Sequence, residues 1–155
     1  MIEYKEFYMK RAIEAAKEAL KYNEVPVGAI IVKNDEIIAT AFNTRETTQI
    51  STHHAEIIAI NKACEALGTW RLENCVMYVT LEPCIMCVGS LILSRIKKVY
   101  FGAYDPKSGS VVSVNQILDH KKYNHVVDYE GGVLEEPCSN LLKDFFKALR
   151  KKENT

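Results

Sequence analysis

The sequence predicts an α/β fold, a three-layer α/β/α sandwich with a mixed central sheet of about five strands. Two observations predict it. Runs rich in β-branched residues alternate along the chain with runs whose apolar side chains recur at helical spacing. The first two strand-like runs lie close together, as in an antiparallel hairpin, whereas later ones are separated by helices long enough for parallel crossovers. The length suits one domain, so we expect a single domain over residues 1–155.

The first third of the chain predicts a helix followed by a hairpin. Residues 3–22 carry an apolar stripe of helical period, and Asn23 can end that helix. The runs 29–33 and 36–42 are rich in β-branched residues and predict two strands. Asn34-Asp35 between them is a turn pair, which favours antiparallel pairing of the two strands.

The middle of the chain predicts a loop, a helix, a strand and a second helix. The polar stretch 43–53 predicts the loop, and the apolar-periodic run 54–66 predicts a helix that stops at Gly68. A strand is predicted at 76–80, and a helix at about 84–94 follows it closely. The connection from the strand at 76–80 to the next strand is therefore long enough for a parallel crossover.

The last third completes the predicted sandwich. Residues 98–103 predict a strand, 104–113 a loop, 114–119 one or two helical turns, and 126–129 a short strand. The last helix is predicted at about 136–151, from its apolar spacing.

Composition limits the class of protein. No run of about 18 apolar residues occurs, so no membrane span is expected, and the charged N-terminus lacks the apolar core of a signal peptide. The formal net charge of zero does not by itself point to a nucleic-acid partner. Two of the five cysteines form a Cys-x-x-Cys, which favours metal binding in a reducing compartment over a disulfide framework. The expected location is the cytoplasm.

Two stretches predict a zinc site. Pro83 suits the start of a helix, where Cys84 and Cys87 would lie on one face and where the helix dipole favours thiolates. His54 stands at the start of the preceding helix and can complete a set of one imidazole and two thiolates. Residues two apart diverge by roughly 200° along a regular helix, so His54 and Glu56 can share a site only at such a start.

An alternative for this set is a structural zinc with a fourth protein ligand. Cys64, Cys75 and Cys138 are the candidates, although Cys64 lies roughly 15 Å along the helix from His54, and buried cysteines commonly behave as small hydrophobic residues. Three protein ligands and a fourth position left to water would instead mark a catalytic zinc.

His-x-Glu followed by Pro-Cys-x-x-Cys is an already known signature of zinc-dependent nucleobase deaminases. Over nearly its whole length the chain resembles the bacterial tRNA-specific adenosine deaminases, which have the cytidine deaminase-like fold. The blocks that carry this resemblance are 24–29, 79–87, 94–96, 101–109, 124–125 and 141–146. Residues 50–53 depart from the family pattern, and His53 either bonds near the metal or lies on the rim. Tyr104 stands where a basic residue is common, which puts one nucleic-acid contact in question.

The resemblance implies hydrolytic deamination of adenosine to inosine at the wobble position of a tRNA anticodon loop. It implies one Zn²⁺ per chain, with Glu56 as the catalytic acid and base. It also implies a homodimer. By the same resemblance, Asn43 holds the flipped base, Val27 and Ala55 belong to the substrate-binding set, and Asp105 and Lys107 touch the nucleotide backbone. For Val27, Asn43, Asp105 and Lys107, ordinary strand and turn roles are the alternatives.

The C-terminal helix predicts an RNA contact. Phe145 and Phe146 cannot both face the core of one helix, so we expect one to be exposed. Phe146 among basic residues would suit base stacking and phosphate contact, and the alternative is a dimer or core contact. Two other functions stay open: a small-molecule guanine or cytosine/cytidine deaminase with the same zinc site, which this helix disfavours, and a zinc module that only binds RNA, which Glu56 disfavours.

Overall fold

The computed structural model describes residues 4–154. Its helices are α1 (Tyr4–Ala19), α2 (Arg45–Thr48), α3 (Ala55–Leu67), α4 (Ile85–Leu93) and α5 (Glu135–Glu153). Its strands are β1 (Gly28–Lys33), β2 (Glu36–Phe42), β3 (Cys75–Leu81), β4 (Lys98–Ala103) and β5 (Asp128–Glu130). Two 3₁₀ turns, at Leu20–Tyr22 and Ile117–Asp119, complete the regular structure of this part of the chain.

The central sheet is mixed, as predicted. Its strands lie in the order β2-β1-β3-β4-β5. β1 is antiparallel to β2 and to β3, whereas β3 and β4, and then β4 and β5, are parallel. The hairpin turn is also as predicted, because Asn34 and Asp35 have φ angles of 51° and 62°, the left-handed conformation that a tight hairpin requires.

Helices cover both faces of the sheet, which confirms the sandwich. On one face, α1 and α5 contribute Met9, Ala12 and Cys138 to a core shared with Ile30 and Tyr78 of the sheet. On the other face, side chains of α3 and α4 form a larger core with the sheet, among them Ala59, Ala63, Val88, Leu91, Ile31, Met77, Val79 and Phe101.

α1 lies unusually close to β1. A Cβ atom added at Gly28 would come within 2.1 Å of the Ala12 carbonyl oxygen, so only glycine allows this approach. The close contact fixes the segment just before β1, which contributes to the cavity described below.

Several predicted boundaries needed correction. Residue 3 of the first predicted helix lies outside the described residues, and that helix ends as a 3₁₀ turn before Asn23, whose φ is 58°. The predicted loop 43–53 contains α2, which has no apolar periodicity to signal it. The helical turn predicted at 114–119 is the 3₁₀ turn Ile117–Asp119, and the last strand begins later than 126, at Asp128. In the part of the chain that the structure describes, no helix has both the length and the apolar character needed to cross a bilayer.

Candidate active site

His54, Cys84 and Cys87 converge at the edge of the sheet where β3 ends. His54 is the N-cap of α3 and Cys84 is the N-cap of α4, while Cys87 lies in the first turn of α4. The Nδ1 atom of His54 is 3.5 Å from the Sγ atom of Cys84 and 3.6 Å from that of Cys87. The three ligand atoms lie within 4.8 Å of one another.

These distances fit tetrahedral coordination of zinc. With Zn–S bonds of about 2.3 Å and Zn–N bonds of about 2.0–2.1 Å, a tetrahedral site separates nitrogen from sulfur by about 3.6 Å. Among residues 4–154, these three form the group of His, Cys, Asp and Glu side chains that could hold a metal ion. Cys64, Cys75 and Cys138 do not belong to it. The donor set therefore suits a zinc ion with one open position, which favours a catalytic over a structural metal.

The protonation of the three groups is linked. A hydrogen bond with Cys87 lowers the pKa of Cys84 to about 4, against the opposing effect of burial, and a hydrogen bond with His54 also lowers it. The same bond with Cys84, together with burial, raises the pKa of Cys87. The hydrogen bond with Cys84 raises the pKa of His54. Metal binding requires both thiols and the imidazole to release their protons, so the cation takes the place of shared protons.

Glu56 lies beside this group in the first turn of α3. Its side chain is only 4% exposed, and burial raises its pKa to about 7, although His54 opposes that shift. It is not a member of the metal-binding group. A buried carboxyl group that can exchange a proton near neutral pH suits a general acid and base.

A single cavity of about 760 Å³ opens over these residues. Nine residues expected at the site from the sequence line it: Val27, Asn43, His54, Ala55, Glu56, Cys84, Asp105, Lys107 and Phe146. Cys87, the tenth residue expected at the site, is fully buried and does not line the cavity. Further lining residues that the sequence reasoning had not assigned to the site are Val25, Arg45, Leu81, Glu82, Tyr104, Pro106, Ser108, Ser139 and Leu142.

The outer wall of the cavity comes from α5. Phe146 is 40% exposed and lines the cavity together with Lys143 and Arg150, whereas Phe145 is half-buried. The expectation that one of the two phenylalanines is exposed is therefore confirmed. An exposed aromatic ring beside two cations is the combination that base stacking and phosphate contact require.

His53 and Tyr104, which depart from the family pattern, lie in different parts of the site region. The Nδ1 atom of His53 lies 2.9 Å from the Thr48 hydroxyl and does not belong to the metal-binding group. Tyr104 is 39% exposed and lines the cavity, and its ring meets that of Phe101 edge to face. His53 thus stabilises the turn after α2, and an aromatic side chain stands where a basic one is common.

Glu82 organises the loop that carries Asp105 and Lys107. It is 2% exposed, and its carboxylate accepts hydrogen bonds from the amides of Asp105 (3.0 Å), Val112 (2.8 Å) and Ser113 (2.9 Å). Burial alone would raise the pKa of Glu82, but the hydrogen bonds from Ser113, Asp105 and Val112 outweigh it and hold that pKa below its usual value. Sequence reasoning missed this residue.

We expect Glu82→Gln to lower the free energy of unfolding at pH 7 by roughly 1–3 kcal/mol, the cost of leaving a buried amide without its acceptor. Folding lowers the pKa of Glu82, so its carboxylate stabilises the folded protein at pH values above about 4.3, the pKa of a glutamate in the unfolded chain. That contribution disappears as the pH falls through the folded pKa. Urea unfolding at pH values between 7 and 3 measures this contribution of Glu82. Ser113→Ala is the control, and its effect should be smaller because it removes one hydrogen bond to the carboxylate. An equal loss at pH 7 and pH 3 would contradict the assignment.

The chain matches a family model described as MafB19-like deaminase over residues 3–150. It is 53% identical over 148 residues to a tRNA-specific adenosine deaminase of Bacillus subtilis (strain 168), covering 96% of this chain and 92% of that protein. It is 55% identical over 146 residues to one of Aquifex aeolicus (strain VF5), covering 94% and 96%. These matches extend over nearly the full length of both partners in each pair.

Solved structures agree with the fold. A chain from a study of A-to-I editing by tRNA:A34 deaminases at the wobble position of transfer RNA superposes with a TM-score of 0.84 and 38% identity, over 88% of this chain and 99% of that one. A guanine deaminase from Nitrosomonas europaea superposes with a TM-score of 0.80 over 90% of this chain and 83% of its own, at 21% identity. The second likeness concerns the fold alone.

Proposed function

This chain belongs to the tRNA-specific adenosine deaminases, and we propose that it hydrolyses adenosine to inosine at the wobble position of tRNA anticodon loops. One observation carries the proposal beyond the family. The metal-binding group and Glu56 lie at the floor of a cavity whose rim is a basic helix with an exposed phenylalanine. A free-base deaminase needs only the floor, whereas an enzyme acting on a loop of RNA also needs a rim.

The proposed cofactor is one Zn²⁺ per chain, held by His54, Cys84 and Cys87. When bound there, zinc supplies Lewis-acid chemistry that lowers the pKa of a water ligand to about 7. The fit of the donor distances to a tetrahedral site supports this choice. The positions of His54 and Cys84 at helix starts hold both ligands in place before any metal binds.

Glu56 carries the proton transfers in this proposal. Its carboxylate accepts a proton from the water that attacks C6 of the adenine. It then delivers protons to ring nitrogen N1 and to the departing amine, so that adenosine and water give inosine and ammonia. The nearly complete burial of Glu56 excludes bulk water from this exchange. Burial raises the pKa of Glu56 above its ordinary value, which favours a side chain that both accepts and returns a proton.

The substrate residues divide into two groups. Val27, Asn43 and Ala55 come from the start of β1, the end of β2 and the start of α3, beside Glu56, and we assign them to the base. Asp105 and Lys107 belong to the 104–108 wall of the cavity, and we assign them to the backbone of neighbouring nucleotides. The Asp105 carboxylate accepts hydrogen bonds from the amides of Lys107 (3.1 Å) and Ser108 (3.2 Å), which fixes the loop.

Outside the base pocket, Phe146 stacks on a neighbouring base in this proposal, and Lys143 and Arg150 contact phosphates. The location that fits a tRNA substrate is the cytoplasm. We extend the proposal to a homodimer, which is supported by exposed apolar side chains on α4, among them Ile85 at 64% and Leu93 at 70% exposure.

Removing the α5 rim should weaken RNA editing through binding. We expect deletion of residues 149–155 combined with Phe146→Ala to lower deamination of an anticodon stem-loop at least tenfold, because stacking contributes about 1–3 kcal/mol per base. The loss should appear in KM, with zinc content unchanged. Raising the salt concentration should weaken binding by the parent protein, as phosphate contacts predict.

The matched control for this experiment is Lys147→Ala, which removes an exposed cation of α5 that does not line the cavity. It should edit the stem-loop nearly as well as the parent. If the shortened protein is folded and edits RNA at the parental rate, α5 is not a substrate platform.

A further inference from the structure

A second buried carboxylate lies behind the cavity and takes no part in the proposed chemistry. Glu24 is fully buried, with 0% exposure, in the turn between α1 and β1. Its backbone amide donates to the Ala19 carbonyl oxygen at 3.1 Å, which anchors it to the end of α1. It does not line the cavity. A buried carboxylate must be satisfied by donors, so its partners indicate its role.

The partners of Glu24 all come from the segment that follows β2. Oε1 accepts a hydrogen bond from the Glu46 amide at 3.2 Å, and Oε2 accepts one from the Thr47 amide at 2.5 Å. The Thr47 hydroxyl also donates to Oε2. Thr44, the N-cap of α2, makes no side-chain cap bond, so Glu24 satisfies these amides from a distant part of the chain.

The fourth partner of Glu24 is Asn43, which does line the cavity. The Nδ2 atom of Asn43 is 3.5 Å from Oε1 of Glu24 and 3.3 Å from the Val25 carbonyl oxygen. On its other side, Oδ1 of Asn43 accepts the Arg45 amide at 3.1 Å. Rotating this side-chain amide by 180° would place its oxygen against two acceptors and its NH2 group against a donor. The three contacts therefore permit one orientation.

From this geometry we infer that Glu24 is a positioning residue for the side-chain amide of Asn43. One proton of the Asn43 NH2 group is shared between Oε1 of Glu24 and the Val25 carbonyl oxygen, and the other proton then donates to a ring nitrogen of the substrate base. The inference rests on the proposed function, since it names how that site recognises a purine. Adenine offers N1, N3 and N7 as acceptors, and N1 is the atom protonated in the reaction. N3 and N7 remain for recognition by a donor.

Replacing Glu24 with glutamine tests this idea with a small change of shape. The remaining oxygen should keep the place of Oε2, which has the shorter bond, to the Thr47 amide at 2.5 Å. The new NH2 group should then replace Oε1, next to the NH2 group of Asn43. Two donors facing each other cannot both be satisfied, so Asn43 should rotate or leave its place. Thr47→Ala is the matched control, because it removes a donor to the same carboxylate and does not touch Asn43.

The first measurement needs no substrate. In the zinc-loaded protein, NMR can follow the Asn43 side-chain NH2 signals, which are assigned by their loss in Asn43→Ala. We expect Glu24→Gln to accelerate solvent exchange of these protons at least tenfold and to move their shifts, with Thr47→Ala close to the parent. Unchanged shifts and exchange in Glu24→Gln would overturn the inference, whatever the substrate of the enzyme proves to be.

The second measurement is a double-mutant cycle on kcat/KM with an anticodon stem-loop. Glu24→Gln should lower kcat/KM at least tenfold in the parent background and less than twofold in the Asn43→Ala background. The parental effect should also fall below twofold with either 7-deazaadenosine or 3-deazaadenosine at the reacting position, which identifies the ring nitrogen. Equal losses in both backgrounds and with all three bases would show a purely structural role. A parent that is inactive on the stem-loop would contradict the proposed function, and the NMR result would still decide the role of Glu24.

Discussion

Glu56→Gln is expected to abolish most turnover while the protein keeps its fold and its zinc. Loss of a general acid and base lowers rates by about 10²–10⁴-fold, and here one group serves both steps. Glutamine has nearly the same shape and fits the buried first turn of α3, but it cannot accept the proton of the attacking water. Glu56 is not in the metal-binding group, so metal content should not change.

Metal content and the rate of deamination should be measured on the same preparation of this variant. Glu65→Gln is the matched control, since Glu65 is exposed and lies near the other end of α3. It should retain both zinc and activity. Loss of zinc in Glu56→Gln would mean that Glu56 is a ligand, and the proposed division of roles would then be wrong.

Cys87→Ala should have the second large effect, loss of the metal together with a fall in stability. Cys87 is fully buried, and without it the half-buried Cys84 thiol and His54 imidazole remain without the cation that they would share. Bound zinc stabilises a folded protein through mass action, so the melting temperature should fall with metal occupancy. Metal analysis and thermal unfolding on the same sample measure both effects.

Cys64→Ala and Cys138→Ala are the controls for this prediction. Neither residue belongs to the metal-binding group, so zinc content should stay at the parental level in both. Cys138→Ala is expected to lose some stability, because its Sγ atom packs against Gly102. A Cys87→Ala protein that holds one zinc per chain as tightly as the parent would refute the ligand assignment. Zinc loss in either control would favour a structural metal.

The elements with strong local signals were predictable from sequence. The hairpin followed from two β-branched runs around Asn34-Asp35, and helices α3 and α4 followed from apolar spacing with Gly68 after the first of them. The sequence also placed His54 and Cys84 at the starts of these two helices, where the structure has them as N-caps. Their meeting in space follows from the order α3, β3, α4, because β3 returns the chain to the end of the sheet at which α3 begins, and α4 starts there.

The two buried carboxylates that hold the loops around the site could not be predicted from local sequence signals. Glu24 and Glu82 act on backbone amides 22 and 31 residues away, at Glu46 and Ser113. Backbone amides are the same for nearly every residue type, so no sequence pattern marks them as partners of a distant carboxylate. The short helix α2 was missed for the same reason. Its first amides bond to Glu24, and its own residues carry no apolar period.

The most direct test of the account is a deamination assay with purified zinc-loaded protein and a transcribed anticodon stem-loop that carries adenosine at the wobble position. Inosine is detected by nucleoside analysis, and free guanine and cytidine are assayed in parallel at matched concentrations. A stem-loop whose only adenosines are base-paired in the stem serves as the control, since a paired base must first be flipped out. We predict inosine at the wobble position, little in the paired control, and no comparable turnover of the free compounds. Efficient deamination of free guanine or cytidine, with little or no inosine in the stem-loop, would contradict the account.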